Sequence, residues 1–255
     1  MPYRVTTRKK TVRAPAKVAA RAKSPSPKAS ALASKRAAQS ERTRTRILDV
    51  AEELLGQHGF YGTTIREVAR QAEVDTALLH YYFDSKQGLF DAVFERRATI
   101  INSERLDALD AYEKRVGKNV EVEGAIEAFL NPILDWIAKG GQGWRNYFAI
   151  VAQVNATPVW GTAVMVRYFD PVIQRLIALV QKALPDAEPV DLYWAYHNLS
   201  GALTLTLGTT GRIDRLSNGL CRSDDVEALR ARMIAYAAAG FHAVCEPQPK
   251  KPKKK

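Results

Sequence analysis

The chain has 255 residues, 46% of them hydrophobic, with 38 Lys/Arg against 27 Asp/Glu and a formal net charge of +11. That length supports one large domain or two small ones, and with no run near 18 uninterrupted apolar residues and no apolar signal-peptide core, a cytoplasmic protein without a membrane partner is expected. Two distant cysteines and four histidines fall in no metal-type spacing, and no Gly-rich phosphate loop, nucleophile elbow or carboxylate pair stands out, so no enzyme, metal site or cofactor is expected.

In chain order, residues 1–40 come first, with eleven Lys/Arg and no acid. The closing "KKPKKK" adds five more basic residues, which leaves 22 in the body to face all 27 acids. The ends are therefore strongly basic and the body mildly acidic. Rich in Ala, Pro, Ser and Lys, segments 1–40 and 246–255 are expected to be disordered tails. They suit either solubility or sequence-independent attraction to a polyanion such as nucleic acid.

From Glu41 the spacing of Ile47, Val50, Ala51, Leu54 and Leu55 predicts an amphipathic helix that ends near His58-Gly59. Thr64 and Glu67 form a capping box for a second helix, with Ile65, Val68, Ala69 and Ala72 on its inner face. Asp75 caps a third, in which Val74, Leu79 and Phe83 point inward and Thr76, Ala77, Leu78, His80 and Tyr81 outward. Ser85 or Asp84 caps the next. Further helices are predicted over 121–139, kinked at Pro132, then 144–156, 162–184, 190–208 and 223–244. The fold class is all-α with about nine helices: a helix-turn-helix domain over 41–88, then a helical effector-binding and dimerisation domain over 89–245.

Two short helices joined by a tight turn and packed on a preceding helix describe a helix-turn-helix, whose second helix fits a major groove. The residues also carry a resemblance. Ala51-x-x-Leu54-Leu55, the link Gly59-Phe60-x-x-Thr63-Thr64, "IREVA", "YYF", Ser85-Lys86 and "LF" make residues 42–94 similar to the N-terminal domain of the TetR family of bacterial transcriptional repressors. The resemblance implies a homodimer on double-stranded operator DNA, released by a small-molecule effector. It implies phosphate or base-edge contacts from Thr64 and Arg66, base readout from Thr76, Ala77 and Leu78, and backbone contacts from His80 and Tyr81. Arg44, in the series Arg42, Arg44 and Arg46, is a further candidate for phosphate.

Lys86 is informative because it stands at a helix start, where the macrodipole disfavours a cation. A DNA phosphate held by the free N–H groups there would turn Lys86 into a second donor, the role the resemblance implies. In the turn, Glu73 stands where the family often has Gly; a non-glycine residue at positive φ costs roughly 1 kcal/mol, so the turn is expected to be either slightly different from the family's or strained.

The resemblance places dimerisation in the last two long helices. There Leu192, Ala195, Leu199, Leu203 and Val226, Leu229, Met233 serve either a dimer contact or the chain's own core. Between 136 and 169 lie seven aromatics in 34 residues, about twice the chain-wide 9%, which suggests a pocket for a small apolar or aromatic effector. Trp136, Trp144, Tyr147, Phe148, Trp160, Tyr168 and His197 are its candidate residues, with Gln153, Asn155 and Arg167 as further polar groups. The competing class is a nucleoid-associated architectural protein dominated by its basic tails.

Overall fold

A computed structural model of the chain describes residues 27–158 and 160–246. Among the described residues there are ten α-helices and no strand. The chain divides into two units, residues 1–42 and 43–255.

In the first unit the described residues are helical from Pro27 onward, the start of α1 (Pro27–Gly62), and residues 34–42 are all exposed. This corrects the expectation of disorder for 27–40. Proline is suited to a first helical position, and the Ala, Lys, Arg and Gln that follow are strong helix formers, so propensity suffices where no apolar stripe exists. The rest of the expected tails, 1–26 and 247–255, lies outside the described residues.

In the second unit α1 continues to Gly59, whose φ of 69° and ψ of 178° break the helical run before a last turn to Gly62. Then come α2 (Ile65–Gln71), α3 (Thr76–Phe83), α4 (Lys86–Val116), α5 (Val122–Lys139), α6 (Gly141–Asn155), α7 (Trp160–Ala183), α8 (Pro189–Leu207), α9 (Arg212–Leu216) and α10 (Val226–Cys245). The short α9 was not expected, and α10 begins at Val226 rather than 223 because Asp225 is its cap. Pro132 lies inside α5, which runs on through it.

Two apolar clusters fill this unit. One joins Ile47, Ala51 and Leu54 of α1 to Val68, Leu79 and Phe83 and to Phe90 and Phe94 of α4. The other joins Leu109 and Tyr112, at the far end of α4, to α5, α7, α8 and α10. The boundary expected after residue 88 thus falls inside the first turn of α4, which serves both clusters. Glu52, 2% exposed, ties α1 to α4 through Arg96 at 2.8 Å and a two-point contact with Arg97 at 2.5 and 2.8 Å.

Of the residues weighed for a dimer contact, Leu192, Ala195, Leu199 and Met233 are buried in the chain's own core, and Leu203, Val226 and Leu229 pack against it. A different face of α8 and α10 is open. Tyr193, Trp194, Leu205 and Tyr236 are 48 to 67% exposed there.

Candidate nucleic-acid interface and effector cavity

The helix-turn-helix is set by its caps. Thr64 Oγ1 accepts from the Glu67 backbone N–H at 3.2 Å and starts α2. The turn closes through Val74 N–H donating to Ala69 O at 3.0 Å, with Glu73 at φ 52°. Of the two alternatives for this turn, a positive φ at a non-glycine residue is the one present. Asp75 Oδ1 accepts from Ala77 N–H at 2.7 Å and starts α3. Leu79 and Phe83 are buried beneath α3, while Ala77, His80 and Tyr81 are exposed. Tyr81 is 80% exposed, its ring edge-on to Tyr82 at 5.4 Å. Thr76 and Leu78 are half-buried rather than fully outward. His80 Nδ1 donates to the Asp84 carbonyl at 3.0 Å, so its ring also braces the end of α3.

The start of α4 is pinned close to that end. Ser85 Oγ accepts from Gly88 N–H at 3.0 Å. A Cβ at Gly88 would lie 2.1 Å from the Phe83 carbonyl oxygen, so only glycine allows this approach. Lys86 is half-buried, its ammonium 4.5 Å from the centre of the Phe60 ring. The ring holds the charge at the helix start where the macrodipole does not. Arg44 lies 5.6 Å over Phe83 and is half-buried, and Arg66 is exposed in the first turn of α2.

Farther along α4 is a cavity of about 40 Å³ lined by residues of α4 to α8. Tyr147 and Phe148 line it, as does Asn155. The other expected effector residues lie elsewhere. Trp136 stacks on Trp144 at 4.1 Å and donates to Glu104, Tyr168 packs on Phe94, and His197 is exposed beside Trp194. Arg167 is 60% exposed.

Trp160 and Gln153 line a second cavity of about 230 Å³ near the end of α1. Trp160 stacks on Phe60 at 4.6 Å and donates to Gln87 Oε1 at 3.0 Å. Gln153 donates to the Gly56 carbonyl at 2.8 Å, so its amide already has a partner. Periodicity did not single out Arg105, on the α4 wall of the smaller cavity. It is 3% exposed, and burial, opposed only weakly by the Tyr196 and Tyr147 hydroxyls, pulls its pKa down to about 10. Burial also pushes the Tyr147 and Tyr196 hydroxyls above the ordinary tyrosine range.

Residues 47–93 match the family model for "Bacterial regulatory proteins, tetR family", and residues 127–240 match "Tetracyclin repressor-like, C-terminal domain". The chain is 35% identical over 81 residues to the HTH-type transcriptional regulator HbdR of Aromatoleum sp. (strain CIB), across 32% of this chain and 31% of that protein. It is 35% identical over 79 residues to the HTH-type transcriptional repressor NicS of Pseudomonas putida, across 29% and 37%. The chain thus spans about a third of the length of these curated relatives. A TetR-like transcriptional regulator from Rhodococcus sp. RHA1 superposes with a TM-score of 0.53 at 19% identity, over 78% of this chain and 96% of that one. HlyIIR, a hemolysin II transcriptional regulator, superposes with a TM-score of 0.52 at 17% identity, over 82% and 99%. These two likenesses are of fold. Among the described residues no helix is long and apolar enough to cross a membrane.

Proposed function

We propose, from the premise that the chain belongs to the tetR family of bacterial regulatory proteins, that it is a dimeric repressor that reads a two-fold-symmetric DNA site and is released by a small-molecule effector. The observation that carries the reading is one helix with two duties. At its start α4 presents Lys86 beside the exposed face of α3, and its Arg105 reaches the wall of the cavity. The two residues are 19 positions apart, about 28 Å along a helix.

Arg66, Thr76, Ala77 and Leu78 read base edges, while Thr64, Tyr81, Lys86 and Arg44 hold phosphates and His80 supports them from the end of α3. One α3 covers only a few base pairs. Two copies related by a two-fold axis place their recognition helices about one DNA turn, ~34 Å, apart and double the readout. The open face of α8 and α10 supports that pairing. The basic ends add sequence-independent affinity through counterion release.

The size of the cavity supplies the switch. At about 40 Å³ it has room for a few waters, whereas ligand pockets run to hundreds of Å³. An effector therefore enters only a state in which the helices around the cavity have moved apart, and α4 is one of them. A ligand that binds one state and not the other shifts the equilibrium by that difference, and DNA must weaken the ligand as much as the ligand weakens DNA.

The test is selection of sites from random duplex DNA by the full chain at physiological salt. Enrichment of a two-fold-symmetric sequence is expected. Recovery of unrelated sequences, with affinity lost when 1–40 and 246–255 are removed, would instead make this an architectural protein.

A further inference from the structure

Arg105 sits 97% buried, by its 3% exposure, on the wall of the smaller cavity. Its one hydrogen bond among the described residues is a long one, 3.4 Å, from Nη1 to Asn102 Oδ1. Its Nε is buried without a partner. No Asp or Glu lines the cavity among the described residues, and the groups whose field reaches the guanidinium most are the Tyr196 and Tyr147 hydroxyls. The ring of Phe129 lies 3.9 Å from its Cζ and covers one face. Across the same cavity the Tyr147 hydroxyl is fully buried and also has no partner.

A buried cation without a counter-charge, and two buried donors without acceptors, are expensive in a folded chain unless something accepts from them. Asn102 cannot meet the need. Its amide group donates to the Tyr168 carbonyl at 2.7 Å, and its single oxygen serves only one of Arg105's nitrogens. The rest of the wall is mostly apolar, with Ile101, Phe129, Ile133, Phe169 and Leu203, and its uncharged polar groups are Tyr196 and a set in which Asn155 donates to Ser200 Oγ at 3.0 Å and Thr204 Oγ1 at 2.5 Å.

We propose that the effector is an organic monocarboxylate with an apolar body, its carboxylate held by the Arg105 fork and the Tyr147 hydroxyl and its hydrocarbon against the surrounding aliphatic and aromatic side chains. This rests on the reading of the cavity as the effector site. The charge class follows from the inventory. A single guanidinium matches one carboxylate in two-point fashion, whereas a phosphate dianion calls for further cations that the cavity lacks. A neutral ligand would leave the Arg105 charge uncompensated.

The experiment uses the full chain and three acids, hexanoate, octanoate and phenylacetate, each against its primary amide at equal concentration and ionic strength. The readout is the thermal midpoint, followed as a function of ligand to obtain dissociation constants. The acids are expected to bind at least tenfold more tightly than their amides. Arg105→Gln should abolish that difference. If that variant fails to fold, Tyr147→Phe keeps the test alive, because it removes an unpartnered hydroxyl. It should leave or raise the ligand-free midpoint and weaken the acids while sparing the amides.

Equal binding of acid and amide, a preference that survives Arg105→Gln, or no shift with any acid would overturn the proposal. The same compounds are then added to the complex with the selected DNA site. Acids that bind without releasing DNA leave the carboxylate site standing and remove its role as effector site. Amides that bind and release DNA as well as the acids do the reverse.

Discussion

Arg96, Arg97 and Lys86 lie within a dozen positions of one another on α4, yet they bear on different properties of the protein. Arg96 and Arg97 meet Glu52, which is 2% exposed, so the carboxylate has exchanged water for two guanidinium groups. Removing the Glu52 charge leaves Arg97 half-buried without a carboxylate, while Arg96 keeps Asp49 at 2.6 Å. Glu52→Gln should lower stability by about 3 kcal/mol in urea unfolding, at the low end for buried pairs because both arginines keep some contact with water. A loss under 1 kcal/mol would mean that the contact is held no better than a surface pair. Lys86 behaves otherwise. Its contact with the half-buried Phe60 ring is a single cation–π pair, worth about 1 kcal/mol, so Lys86→Ala should lower stability by no more than that. It should weaken binding to every DNA sequence alike and make the dependence of log K on log salt shallower by about 0.9. Arg66→Ala should instead change which bases are preferred, and a changed preference in Lys86→Ala would exchange the two roles. Caps were legible in the sequence because their chemistry is local: Thr64, Asp75 and Ser85 each bond a backbone N–H two or three residues ahead. Arg105 was not legible, since it lies in a charged run, "NSERLDALDAYEKR", that reads as solvated. Only packing against α5 and α6, distant in sequence, shows that this arginine faces inward.

Helices with a local start signal or an apolar stripe could be read from the sequence, and those held by other means could not. The first described turns of α1 have propensity but no stripe, so composition alone suggested a tail. α9, five residues long, starts from Gly211 at φ 63° with no side-chain cap, and leaves no period to detect. The near contact of α3 with the start of α4 depends on the missing Cβ of Gly88, a steric fact that no periodicity encodes. At the other end of the unit, α10 is clipped to α5 by His242, whose Nδ1 lies 2.7 Å from Glu246 and whose Nε2 lies 3.2 Å from Glu123. Burial disfavours its imidazolium, but the hydrogen bonds to Glu246 and then Glu123 outweigh it, and the pKa is raised above 6.5. A raised folded-state pKa gives stability that is fully present below the unfolded value and is lost as pH rises through the folded one. Unfolding followed from about pH 6 to pH 8 should therefore show a fall in stability that His242→Gln removes. A slope unchanged in that variant would assign the pH dependence to another group.

For the whole molecule, the sequence named two helices for self-association, but the residues it named on them serve the chain's own core. Leu192, Leu199 and Met233 follow helical spacing because they serve the chain's own core, and that spacing cannot say which copy a stripe packs against. The exposed set is the better guide. Trp194 is 58% and Tyr236 67% exposed on helices that pack on each other, and Tyr193 and Leu205 are exposed on α8 as well, large apolar side chains that a partner could cover. Since water already reaches these side chains, the fold does not depend on burying them. Trp194→Glu should keep the helical circular-dichroism signal and the thermal midpoint of the monomer, while sedimentation shows the dimer dissociating at concentrations where the parent chain is intact. A monomer carries one recognition helix, so affinity for the two-fold-symmetric site should fall by orders of magnitude, with a weak half-site complex and the tails' salt-dependent binding remaining. A dimer that persists in Trp194→Glu would place the contact elsewhere. Loss of helical signal together with the dimer would mean that the monomer has no stable fold of its own, and the operator could then be read only by a chain already paired.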